Sequence, residues 1–188
     1  MSGARLKGVA FKSLLRSLEV LRGKDVVERC IQACPTELRD ALVHGKVVSA
    51  GWYSLVWYRE LHVAISRTLS TGPDFARELS CHATRHDLQT IYKLASMLFS
   101  PETLVKHSMR LLRLYYEGGE VQILSSGPGL VRFKLWGFEG YNQLCWEDLL
   151  GGTLASLECS GAQDIGITRN VGGGDTDGLI DVTFTWRA

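Results

Sequence analysis

The sequence predicts an α+β fold: an N-terminal helical subdomain followed by a ββαββ unit with an antiparallel sheet. Two observations carry this. Across residues 1–117, apolar side chains recur at helical spacing almost throughout. Residues 118–188 instead read strand, turn, strand, long helix, strand, glycine loop, strand. The 188 residues give room for one domain with a full core. The chain is therefore read as a single domain, 1–188, with 1–117 its helical part and 118–188 its ββαββ part.

Phe11, Leu14, Leu15, Leu18 and Leu21 form one face of a first helix over Gly8–Leu21, and Gly23 fits its C-cap. Val26, Val27, Cys30, Ile31 and Ala33 mark a second helix, ended by Pro35. Thr36 caps a short third helix to Leu42, and Val47–Trp52 is a connector. A fourth helix covers Ser54–Leu69. Pro73 and Asp74 open a long fifth one reaching Phe99. Because that helix is apolar on two sides, it is expected at the centre of the helical half. Ser100-Pro101-Glu102 starts one more helix, which runs to Gly118-Gly119. Beyond it, strands are expected at Glu120–Leu124, Leu130–Trp136, Gln163–Thr168 and Ile180–Trp186, with a helix over Tyr141–Ser160 closed by Gly161.

Composition excludes several classes. Hydrophobic content of 45% with 22% charge is that of a globular chain. The apolar runs fall short of a membrane span, and no signal-peptide core follows the polar start Met1–Gly8. Five cysteines without framework spacing point to reduced thiols and a cytoplasmic setting. Residues 1–117 carry 17 Lys and Arg against 11 Asp and Glu, a net of +6; residues 118–188 carry 4 against 9, a net of −5. This split suits either two solvated faces or a head-to-tail homodimer. No basic cluster interleaved with aromatics suggests nucleic acid.

The candidate chemistry is sparse. His82 and His86 share a helical face at a metal-ligand spacing, without further ligands nearby in sequence. His62 and His107 each interrupt an apolar face, as core histidines, pocket groups or a haem ligand. Cys30 and Cys34 read as buried small residues rather than a redox pair. Asp175-Thr176-Asp177-Gly178 begins like a calcium loop but lacks its closing ligands. Gly151, Gly152, Ala155 and Ser156 give the last helix a small-residue face, expected against its own sheet. No GxSxG, P-loop or GxGxxG unit is present, so no enzyme is expected.

Leu38-Arg39-Asp40-Ala41-Leu42, Trp52-Tyr53-Ser54-Leu55, Phe75-Ala76-Arg77-Glu78-Leu79 with His82-Ala83, Arg113-Leu114-Tyr115-Tyr116-Glu117-Gly118-Gly119, and the Cys145–Gly161 helix with Phe184-Thr185-Trp186 carry a resemblance over nearly the whole chain. It is to a bacterial, largely myxobacterial family, a distant relative of the 4-vinyl reductase, haem–nitric-oxide-binding (H-NOX) and TRAPP-subunit superfamily. The resemblance implies a sensory or regulatory module. Its ligand is a small, mostly apolar molecule held between the long helix and the sheet, with Trp57, His82, His86, Tyr92, His107 and Trp136 as candidate walls. Dimerisation without ligand, or binding of a protein partner, is the alternative, and a haem or metal sensor is the second alternative. Relatives of the 4-vinyl reductase type look like zinc binders. Here Cys145 matches one ligand position, while Asn170 and Asp181 or Val182 stand where the other cysteines would fall. The Tyr-x-Ser-x-Arg clamp with which H-NOX proteins hold haem is missing from the sequence. No cofactor is therefore expected, with haem or zinc the less favoured outcome.

Overall fold

A computed structural model describes residues 4–90 and 100–187. Ile91, Tyr92, Ala95, Met97 and Phe99 lie outside the described residues. The elements run β1 (Arg5–Lys7), α1 (Gly8–Arg22), α2 (Lys24–Gln32), α3 (Thr36–Val43), β2 (Trp52–Ser54), α4 (Leu55–Leu69), α5 (Pro73–Thr90), α6 (Pro101–Lys106), α7 (Ser108–Leu112), β3 (Tyr116–Glu117), β4 (Glu120–Gly127), β5 (Leu130–Trp136), α8 (Gln143–Cys159), β6 (Gln163–Gly172) and β7 (Leu179–Arg187). The architecture is α+β, as the sequence predicts.

Local chemistry sets the ends. Ser54 Oγ accepts from Val56 N at 3.2 Å, Ser100 Oγ from Thr103 N at 3.3 Å, and Asn142 Oδ1 from Cys145 N at 3.1 Å. Each satisfies a donor that the first helical turn leaves unpaired. Thr36 does not cap α3; Pro35 stands at that position without a side-chain bond. The helix expected from Ser100 to Gly118 is instead α6, a turn at His107, and α7. The chain then joins a sheet that periodicity could not reveal. Two- and three-residue strands, in the order β2-β1-β3, pair antiparallel through Leu6↔Tyr53 and Leu6↔Tyr116. Strands this short hold no alternation to read.

The larger sheet is antiparallel in the order β4-β5-β7-β6. Val131, Phe133 and Leu135 of β5 and Ile180, Val182, Phe184 and Trp186 of β7 are buried at every second position. That period of two turns one face toward the core. The opposite side carries Asp181, which accepts from Arg132 at 2.8 and 2.7 Å and from Asn170 at 3.0 Å. The Arg132 bonds, more than any other contact, hold its carboxyl below the ordinary carboxylate range. A depressed folded pKa contributes stability above the unfolded value, and this is lost as pH falls through the folded one. Asp181→Asn is expected to flatten the acid limb of a urea-midpoint-against-pH curve below about pH 4, the ordinary aspartate pKa. A limb as steep as wild type would refute the coupling.

α8 crosses beside this core face with Trp146, Leu149, Leu150 and Leu157 buried, and α5 packs along α8, α1 and α4. The described part of the expected long helix, Pro73–Thr90, thus packs among α1, α4 and α8; its expected continuation to Phe99 lies outside the described residues. The small-residue face of α8 meets α5 rather than its own sheet. A Cβ on Gly151 would run into the Arg77 carbonyl oxygen, and one on Gly152 would touch Thr84 and Ser80. Arg77 also bonds Glu147 at 2.9 Å and Asp74 at 2.6 Å, and Arg169 of β6 pairs with the same Glu147. Because a backbone atom blocks the site, Gly151→Ala is expected to cost about 1–3 kcal/mol through forced helix separation. Urea unfolding measures this; an unchanged midpoint would contradict the close packing.

Candidate functional site: a cavity between helices and sheet

A cavity of about 280 Å³ lies where α5, α8, the α6–α7 segment and the core face of the sheet converge. Phe133 and Leu135 of β5, with Val182 and Phe184 of β7, form one side. Leu104, Val105, Leu111 and Leu112 form another, and Leu149, Leu150 and Leu157 of α8 a third. Between α5 and α8 runs a seam of small polar side chains, Ser80, Thr84 and Ser156, beside Gly152. Ser156 Oγ donates to Gly152 O at 2.8 Å, so its hydroxyl is already paired within the helix. The volume sits near the lower end of small-molecule pockets, roughly 300–1,000 Å³.

Two buried carboxylates reach this wall. Asp87 of α5 is fully engaged: Ser13 donates to Oδ2 at 2.6 Å and Arg16 to Oδ1 at 2.6 Å. Asp148 of α8, 5% exposed, has a different setting. Tyr58 donates to Oδ1 at 3.1 Å, and His62 Nε2 stands 3.3 Å from the same oxygen. Among the described residues no lysine or arginine pairs with it. Tyr58 and Tyr116 join Asp148 in the cavity wall, and the Tyr141 ring stands 6.4 Å from that of Tyr116. Burial first, and then the Asp148 charge, hold the Tyr58 and Tyr116 hydroxyls far above their ordinary range. Burial, again aided by Asp148, likewise raises the Cys145 thiol, which therefore stays protonated.

The described residues among the sequence candidates lie outside this wall. Trp57 is half-buried and stacks on Tyr53 at 6.1 Å between ring centroids. His82 and His86 are half-buried on α5; His86 Nδ1 is 3.4 Å from Thr90 Oγ1. His107 is exposed at the turn between α6 and α7, one residue before the cavity-lining Ser108. Trp136 is 36% exposed beneath Lys134. None of these five lines the cavity, and Tyr92 lies outside the described residues. Asp148, Asp87 and Tyr116 were not singled out. The available signal was an acid pair, Glu147-Asp148, set between Trp146 and Leu149 in an apolar helix.

Among the described residues no three His, Cys, Asp or Glu side chains gather to hold an ion. The loop carboxylates of Asp175 and Asp177 are spent on the backbone N–H groups of Gln143 at 3.2 Å and Gly174 at 2.7 Å.

No protein-family model and no curated protein matches the chain. Solved structures do match. The Fe(II) unliganded H-NOX protein from K. algicida superposes with a TM-score of 0.71 at 14% identity, over 97% of this chain and 97% of that one. An oxygen-binding H-NOX domain related to soluble guanylate cyclases, solved as its oxygen complex, gives 0.68 at 12% identity over 97% and 95%. A structure described in terms of haem redox potential and protein-induced porphyrin distortion gives 0.67 at 11% identity over 97% and 99%. The chain has the H-NOX fold.

Haem needs an axial ligand, and its two propionates are anionic. The described cavity wall offers no histidine, cysteine or methionine, and its tyrosines Tyr58 and Tyr116 are held protonated. Where propionates would want cations it presents Asp87 and Asp148. The described lining does not fit haem.

Proposed function

We propose that this chain is a non-catalytic sensory or regulatory module that binds a small, mostly apolar molecule in the cavity between α5, α8 and the sheet. The observation that carries the reading is the cavity itself: apolar on three sides, with a limited set of polar groups among them, the pattern of a small-molecule site. A sensory module also needs an outlet, and a protein partner or a second copy of the chain would receive the signal. Kinship with 4-vinyl reductase and TRAPP proteins, and with the myxobacterial family, rests on the sequence motifs alone.

A haem-based sensor is the second reading. The H-NOX fold favours it, since the neighbours include an Fe(II) protein and an oxygen complex. On that reading the axial ligand would have to come from outside the described cavity wall, which offers no histidine, cysteine or methionine.

One experiment separates the two. Full-length protein purified from its own host is weighed by native and by denaturing mass spectrometry, with an absorbance spectrum of the same sample. The expected result is a non-covalent organic mass on each chain and no Soret band. A Soret band with a haem-sized mass would overturn the apolar-ligand reading in favour of the second. A bare chain that also fails to take up any alkyl probe would overturn both.

A further inference from the structure

We infer that the ligand of this cavity carries a hydrogen-bond-donating head, an ammonium or hydroxyl group, that docks on Asp148 beside Tyr58, with its apolar body lying along Phe133 and Leu150. The inference rests on the small-ligand reading above and narrows its chemical class. A carboxylate has about four acceptor positions. Both described contacts of Asp148 fall on Oδ1, from Tyr58 at 3.1 Å and His62 at 3.3 Å. Oδ2 takes no described donor, although the residue is only 5% exposed and faces the cavity. A buried carboxylate with no arginine or lysine beside it among the described residues, only the His62 imidazole, is costly unless further donors complete it. Asp87, the other acid at the wall, is closed by Arg16 and Ser13, so it has no comparable vacancy.

The same geometry discriminates against anions. A fatty-acid carboxylate placed at this end would face Asp148 in a low-dielectric site, where like charges repel strongly. It would also find no arginine or lysine among the described residues of the cavity wall. An amine replaces that repulsion with an ion pair, and an alcohol with a neutral hydrogen bond to a charged acceptor. The site therefore sorts amphiphiles by head group while accepting a range of apolar bodies.

The test is calorimetric titration of the full chain with octylamine, 1-octanol and octanoate, each kept below its aggregation range. The expected order is octylamine at least as tight as octanol, with octanoate weaker than either by about ten-fold or more, the effect of one lost hydrogen bond to a charged group. In Asp148→Asn, octylamine is expected to lose about ten-fold and octanol distinctly less, because the amide keeps an acceptor but no charge. Octanoate binding as tightly as octylamine would overturn the head-group assignment and leave the pocket standing. If none of the three binds, the small-ligand reading and the assignment both fall. Should Asp148→Asn not fold, the three-ligand series on wild-type protein decides alone, and Tyr58→Phe, which keeps the carboxylate, should retain the order.

Discussion

Trp146→Ala is expected to lower unfolding free energy by about 3–5 kcal/mol, the range for removing a fully buried aromatic. The side chain is completely buried near the start of α8. Its ring meets Tyr141 at 4.8 Å and Phe138 at 5.8 Å between centroids, both edge-on, an arrangement that adds to the area it buries. Its indole nitrogen donates to Asp177 O at 3.2 Å, tying the helix to the loop between β6 and β7. Truncation thus removes packing and a long-range bond together and leaves a hole that rigid neighbours close poorly. Urea unfolding followed by circular dichroism measures it. A loss under about 1 kcal/mol, the level of an average substitution, would show that the cluster is not where the stability resides.

Ser156→Phe is expected to abolish binding of alkyl ligands while leaving the fold intact. Ser156 lines the cavity from α8, and its hydroxyl bonds only to a carbonyl of its own helix. Losing it strands no buried donor elsewhere. The added ring occupies part of a space of about 280 Å³, and cavity filling commonly raises stability by about 0.5–2 kcal/mol. Opposite signs for binding and stability mark a void kept for a ligand. Octylamine binding retained at wild-type strength would mean that the ligand sits elsewhere.

The sequence announced the fold's large parts because long elements have room for a period. α1, α4, α8, β5 and β7 lie where apolar spacing places them, as does α5 over its described residues. It failed where elements are short or where partners are far away. The pairing of β1 with β2 and β3 joins positions such as Leu6, Tyr53 and Tyr116, which no local pattern connects. The break at His107 leaves both sides helical, so spacing across it still looked continuous. The site was less legible than the fold. Histidines and tryptophans attract attention by type, yet the cavity's polar end is built from Tyr58, Tyr116 and Asp148, brought together from three elements. Only tertiary packing makes the environment of Asp148 unusual; in the sequence it is one acid beside another.

The contact of Gly151 with the Arg77 carbonyl bears on the shape of the cavity. It acts as a backbone-to-backbone stop between α5 and α8. The gap spanned by Ser80 and Thr84 on one helix and Gly152 and Ser156 on the other is thereby set by main-chain atoms, which do not change rotamer. Breadth in that direction is gauged as by a caliper. Among the described residues the α6–α7 side has no such stop: it is two helices of six and five residues joined at a turn, lined by leucines that can adopt other rotamers. The cavity therefore measures girth strictly and length loosely. On the proposed reading, straight chains of differing extent would share one binding mode.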